Sequence, residues 1–92
     1  MVNAIVLLKV EKARINRLAE EIASFDGVAE VYSVAGQFDV VVNIRASDDE
    51  QIATLVTDEL LQVEGILSSE TLIAFRTYSR EDLDGLFSVG LE

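Results

Sequence analysis

One local event occurs twice in this chain. Phe25-Asp26-Gly27-Val28 recurs as Val63-Glu64-Gly65-Ile66, and each time a helical pattern gives way to a strand pattern. Glycine stops a helix at such a junction because it tolerates the left-handed conformation that helix ends favour. A strand pattern precedes each helix, so the chain reads as strand–helix–strand twice, back to back. That order restricts the fold more than any other feature of the sequence.

In the first unit, Asn3 to Val10 is a near-continuous apolar run, as expected of a strand with apolar groups on both faces. Ile15, Leu18, Ala19, Ile22 and Phe25 form one helical stripe, with Arg14, Arg17, Glu20 and Glu21 on the wet side. Val28 to Val34 reads as the second strand, Ala35-Gly36-Gln37 as a short turn, and Phe38 to Ile44 as the third strand, so the middle pair forms a hairpin. Ser47-Asp48-Asp49-Glu50 has the Ser-x-x-Glu form of a capping box. The second helix follows, with Ile52, Leu55, Val56 and Leu60 as its stripe, and Ile66 to Phe75 is the last strand.

Crossovers between parallel strands are right-handed. Two such units joined by a hairpin predict an α+β, ferredoxin-like βαββαβ fold, a four-stranded antiparallel sheet with both helices on one face. The domain is expected over residues 1–78. Residues 79–92 are read as a short C-terminal helix or tail, capped at Ser79-Arg80-Glu81-Asp82, with Leu83, Leu86 and Phe87 docking on the body or on a neighbour. No linker, low-complexity tract or second domain interrupts the 92 residues.

Half of the residues are apolar, a rich supply for so short a chain. The sheet face away from the helices should be polar in a solitary domain. Yet Val40-Val41-Val42-Asn43-Ile44 and Ala4 to Leu8 put apolar groups on both faces. An exposed patch of that kind exceeds what monomers usually tolerate. Covering several hundred Å2 of it contributes on the order of 10 kcal/mol before association costs. A symmetric dimer of α+β-barrel type is expected, with further assembly open.

The chain has no Cys and no His, which removes disulfides, thiolate metal sites and the usual general base. Asp48, Asp49 and Glu50 occupy a helix start, and Glu81, Asp82 and Asp84 a capping or solvated surface, so no metal site and no cofactor is expected. No catalytic constellation is evident. The apolar start is too short to span a bilayer and has no leader character, which gives a cytoplasmic expectation without a membrane partner. Seventeen acidic against seven basic residues, a net charge of −10, oppose nucleic-acid binding. RNA-recognition domains share this element order but stack bases on strand aromatics, where this third strand has Val40, Val42 and Ile44. The five glycines form no GxGxxG or GxxxxGK[ST] string.

One constellation remains. Gly36-Gln37-Phe38-Asp39 sets a flexible turn and a carboxylate at the head of an apolar strand, and Ser69 and Thr71 share one face of the last strand. The plain structural reading is a hairpin glycine, an Asp capping its own turn, and ordinary strand hydroxyls. The functional reading is a small polar site near a subunit seam, where the turn amides and the Asp39 carboxylate meet a polar ligand.

Over Val31-Tyr32-Ser33-Val34-Ala35-Gly36-Gln37-Phe38-Asp39-Val40 the sequence resembles the effector-binding (RAM) domain of Lrp/AsnC regulators, with a strand, then Gly-x-aromatic-Asp, then an apolar strand. Gly65-Ile66-Leu67-Ser68-Ser69-Glu70-Thr71-Leu72-Ile73 is similar to the family's Gly-Val-x-x-Thr-x-Thr strand. The resemblance runs from Val2 to about Tyr78. It implies sheet-to-sheet dimers, rings of dimers such as an octamer or decamer, and an amino acid or related metabolite bound where dimers meet. It would place Gly36, Gln37, Phe38 and Asp39 in the ligand loop and Ser69 and Thr71 in the same pocket. Ser69 stands where the family often has Thr, and Gln37 occupies a variable position. Family regulators carry an N-terminal helix-turn-helix domain. Here the sensing fold starts within a few residues of Met1, so the expectation is a stand-alone, non-enzymatic member. It would bind no DNA directly and would modulate transcription by assembling with itself or with full-length regulators.

Other readings stay open from the residues alone. A cofactor-free dimeric α+β-barrel monooxygenase or isomerase has the same fold, and a subunit acting by co-assembly would need no ligand. ACT-type amino-acid domains are near relatives, but usually have a glycine at the first strand–helix junction, where Val10-Glu11-Lys12-Ala13 has none.

Overall fold

A computed structural model of the chain describes residues 1–80. Strand β1 spans Val2–Val10 and leads through a 3-10 turn at Lys12–Arg14 into helix α1, Ile15–Ala23. Strands β2 (Val28–Ser33) and β3 (Val40–Ala46) follow. Helix α2 begins at Asp49–Thr54, widens to a π-turn over Leu55–Glu59 and closes as a 3-10 turn at Leu60–Gln62. Strand β4 is Ile66–Ile73. The sheet order is β2-β3-β1-β4 with every neighbour antiparallel, which is the ferredoxin-like arrangement.

The alternation of β1 and β3 sets the layers. Ala4, Val6, Leu8 and Val10 share one buried face with Val40, Val42, Ile44 and Ala46. Leu18 and Ile22 of α1, together with Ile52, Leu55, Val56 and Leu60 of the second helical segment, complete one core against that face. Two glycines make the helix-to-strand junctions possible. Gly27 and Gly65 adopt φ of +96° and +104°, a region that residues with a Cβ rarely enter.

Three readings from the sequence need correction. The β2–β3 connection is a six-residue loop, 34–39, closed by the Val34 amide donating to the Asp39 carbonyl at 2.9 Å, so Phe38 and Asp39 precede the strand rather than start it. The N-cap of α2 is Asp48, not Ser47. Its carboxylate accepts from the Gln51 amide at 2.9 Å, and the Gln51 side chain reaches back to the Ser47 amide at 2.9 Å. The reciprocal pattern is therefore present one residue later than Ser47…Glu50, because β3 runs on to Ala46 and leaves Ser47 as the connecting residue. The last strand ends at Ile73, two residues short of Phe75. The tail expected over 79–92 lies outside the described residues from position 81 on.

Among the described residues no helix is long and apolar enough to cross a membrane.

Candidate functional site

The loop 34–39 is anchored at one point and open at the others. Asp39 is half-buried; its amide donates to the Leu8 carbonyl at 2.8 Å, and its Oδ2 accepts from the Val10 amide at 3.0 Å. The side chain thus ties the loop to the end of β1 instead of capping its own turn. A carboxylate offers about four acceptor positions, so one such bond leaves capacity for another donor. Gly36 and Gln37 are exposed and Phe38 is half-buried. The amides of residues 35–38 have no backbone partner among the described residues.

Ser69 and Thr71 pair with Leu8 and Val6 across the β1–β4 ladder. Ladder partners share a face, so both hydroxyls stand on the side of the sheet that carries the helices. Leu8 and Val6 are fully buried there, yet Ser69 and Thr71 are exposed, because β4 is an edge strand that the helices leave unroofed. Leu8 meets Val40 on one side and Ser69 on the other. Two strand spacings, about 10 Å, therefore separate the head of β3 from Ser69. The structure brings Gly36–Asp39 and Ser69 to the same end of the sheet, on either side of β1, without joining them in one cavity of a single chain.

On the other face of the sheet, Tyr32, Val41, Leu7 and Glu70 make one row and Glu30, Asn43, Ile5 and Leu72 the next. Ile5, Tyr32 and Leu72 are 39%, 46% and 44% exposed. The apolar centre is framed by charge, with Glu30, Glu70, Lys9 and Arg45 all exposed. Tyr32 donates to Glu30, whose second oxygen accepts from Asn43 at 3.4 Å. The bond to Glu30, followed by desolvation and the nearby negative charge, raises the Tyr32 phenol above its ordinary value of 10.0.

Four clefts lined by described residues lie away from the loop. One of about 300 Å3 sits between the start of β2 and α2, lined by Gly27, Glu50, Thr54 and Leu55 among others. Two more adjoin at the Asn3–Arg45 end of the sheet and share Arg45 and Arg76, a feature the sequence reading missed. The available signal was two arginines, one near the end of β3 and one just beyond β4, the two strands that flank β1, in a chain poor in bases. Among the described residues, no three His, Cys, Asp or Glu side chains converge as a metal ion would need.

Comparison with known proteins adds the following. The family model for the Lrp/AsnC ligand binding domain matches residues 3–83. PH1916, an uncharacterized HTH-type transcriptional regulator of Pyrococcus horikoshii, is 39% identical over 64 residues, 70% of this chain and 43% of that protein. The chain thus spans less than half the length of the curated relatives it matches first. The crystal structure of TTHA0845 from Thermus thermophilus superposes with a TM-score of 0.81 at 44% identity, covering 87% of this chain and 100% of that one. The regulator NMB0573 of Neisseria meningitidis, solved as a complex with L-Met, has the same fold at 17% identity, with a TM-score of 0.74 over 86% of this chain and 53% of that one.

Proposed function

The chain belongs to the family of Lrp/AsnC ligand-binding domains, and from that membership we propose that it senses an amino acid or a closely related metabolite and transmits binding through assembly. The observation that carries this reading is the incompleteness of the polar end of the sheet. Ser69 and Thr71 stand unroofed on the helix side, and the loop amides beside Asp39 lack backbone partners among the described residues, so a second subunit is needed to close the site. Sheet-to-sheet pairing over Ile5, Leu7, Tyr32, Val41 and Leu72 would form the dimer. Packing of dimers edge to edge would enclose a ligand against the loop. A standard interface buries roughly 800 Å2 per partner, a size that one face of a four-stranded sheet can supply.

In this arrangement the free acceptor capacity of Asp39 pairs with the ligand ammonium, and the amides at Gly36 and Gln37 bind its carboxylate. Gln37 and Phe38 contact the side chain and set preference. The L-Met found with NMB0573 is of the ligand class proposed here. Matched relatives named as transcriptional regulators favour a regulatory role over a small-barrel enzyme, and full-length regulators are proposed as co-assembly partners.

A calorimetric and thermal-shift screen across the amino acids tests the reading. At least one should bind, raise Tm and change the assembly size, and Thr71→Val should weaken that binding while leaving the fold intact. No binding by any amino acid at millimolar concentration would reject the ligand assignment.

A further inference from the structure

At the end of β1, two consecutive amides are tied in opposite directions. The Val10 amide donates to Asp39 Oδ2 at 3.0 Å, in the loop that leads into β3. The Glu11 amide donates to the Gly65 carbonyl at 2.9 Å, at the entry to β4. Strands β3 and β4 flank β1, so the two bonds span the sheet from the loop to its edge. The β1–β4 ladder changes at the same place. Its register is constant from Ala4 to Lys9, but Lys9 pairs with Ser68 and Val10 with Ile66, which leaves Leu67 as an extra residue on β4. Such a bulge interrupts the ladder and bends the strand that carries it. Leu67 is exposed and stands two residues from Ser69.

We propose that Val10 and Glu11 couple the loop to β4, so that a change at the Asp39 carboxylate is felt at the bulge and at the entry to the edge strand. Val10 is only 2% exposed, so its amide cannot replace Asp39 by water unless the end of β1 moves. Toward Leu8 that movement is resisted by the regular ladder and by the Asp39 amide, which donates to the Leu8 carbonyl at 2.8 Å. It passes instead to Glu11, Gly65 and the bulge, where the ladder is already interrupted. The role in regulation rests on the reading of loop 34–39 as the ligand loop: a ligand drawing on Asp39 would reset the edge strand that a neighbouring subunit meets. The coupling itself is measurable without a ligand, so a failed ligand screen and a failed coupling are separate results.

The test is amide hydrogen exchange of the full, ligand-free chain, followed by NMR. Asp39→Ala removes the acceptor of the Val10 amide. It should speed exchange at Val10 and, about tenfold or more, at Glu11, which Asp39 does not touch, with a smaller effect at Val6 in the middle of β1. Asp39→Asn keeps an acceptor and should restore the protection of Glu11. Glu11→Pro deletes the donor to Gly65 at a residue whose φ of −63° is already the one proline imposes. Coupling is reciprocal, so this variant should speed exchange at Val10. Glu11→Ala keeps the amide and removes only the carboxylate that pairs with Arg14, and should leave Val10 unaltered. The Asp39 arm decides alone where the proline variant does not fold. Faster exchange at Val10 without Glu11, or an equal change at Glu11 and Val6, would overturn the proposal. So would Glu11→Ala acting as strongly as Glu11→Pro.

Discussion

The Asp39 carboxylate accepts a hydrogen bond from the Val10 amide at 3.0 Å, joining the β2–β3 loop to the end of β1 across 29 residues of sequence. Position 39 therefore has a structural task in addition to the proposed one. Asp39→Ala leaves the Val10 amide without this acceptor and should cost about 1–3 kcal/mol in urea unfolding. Asp39→Asn keeps an acceptor and should recover much of that stability, yet lose the charge proposed to hold a ligand ammonium. Stability and binding should part company in the Asn variant.

Gly65 connects the second helical segment to β4 with φ of +104°, and a Cβ built there would lie 2.9 Å from Cδ of Arg14. The side chain of Arg14 can yield, but the backbone angle remains strained for alanine. Gly65→Ala should destabilise by about 1–2 kcal/mol, read as a lower urea midpoint with an unchanged m-value.

The cap of α2 gives a paired comparison. Asp48→Ala removes the acceptor for the Gln51 amide and should cost about 1 kcal/mol. At Ser47 only the backbone amide takes part, so Ser47→Ala should stay within about 0.5 kcal/mol of the parent.

The raised pKa of the exposed Tyr32 phenol makes its own contribution to stability sensitive to alkaline pH. The folded state favours the protonated phenol, so its contribution to stability is present below the ordinary value of 10.0 and is lost as pH rises through the higher folded value. Glu30→Gln removes the charged acceptor and should bring the Tyr32 titration, followed by tyrosinate absorbance or NMR, down toward that ordinary value.

Much of this structure is legible in the residues, and the exceptions have physical reasons. The stripe of Leu18 and Ile22 and the even-numbered positions of β1 and β3 announce the core, because helix and strand periods are fixed by backbone geometry. The apolar odd positions Ile5, Leu7 and Val41 were equally visible as a second face without a covering layer. Apolar continuity drew Phe38 and Asp39 into the strand, whereas hydrogen bonds from Asp39 to β1 hold them in the loop; no local pattern encodes a partner 29 residues away. Ser47 and Asp48 are both good caps, and the choice between them depends on how far β3 runs. The Arg45–Arg76 cleft arises from chain segments that meet only after the sheet has formed.

The central claim is that the open sheet face is a subunit interface, and sedimentation velocity at micromolar concentration tests it directly. The chain of 10.1 kDa should sediment as a dimer or a multiple of one. Ile5→Asp combined with Leu72→Lys should shift it to a folded single subunit. A parent protein that runs as a folded single chain across the concentration range would contradict the account.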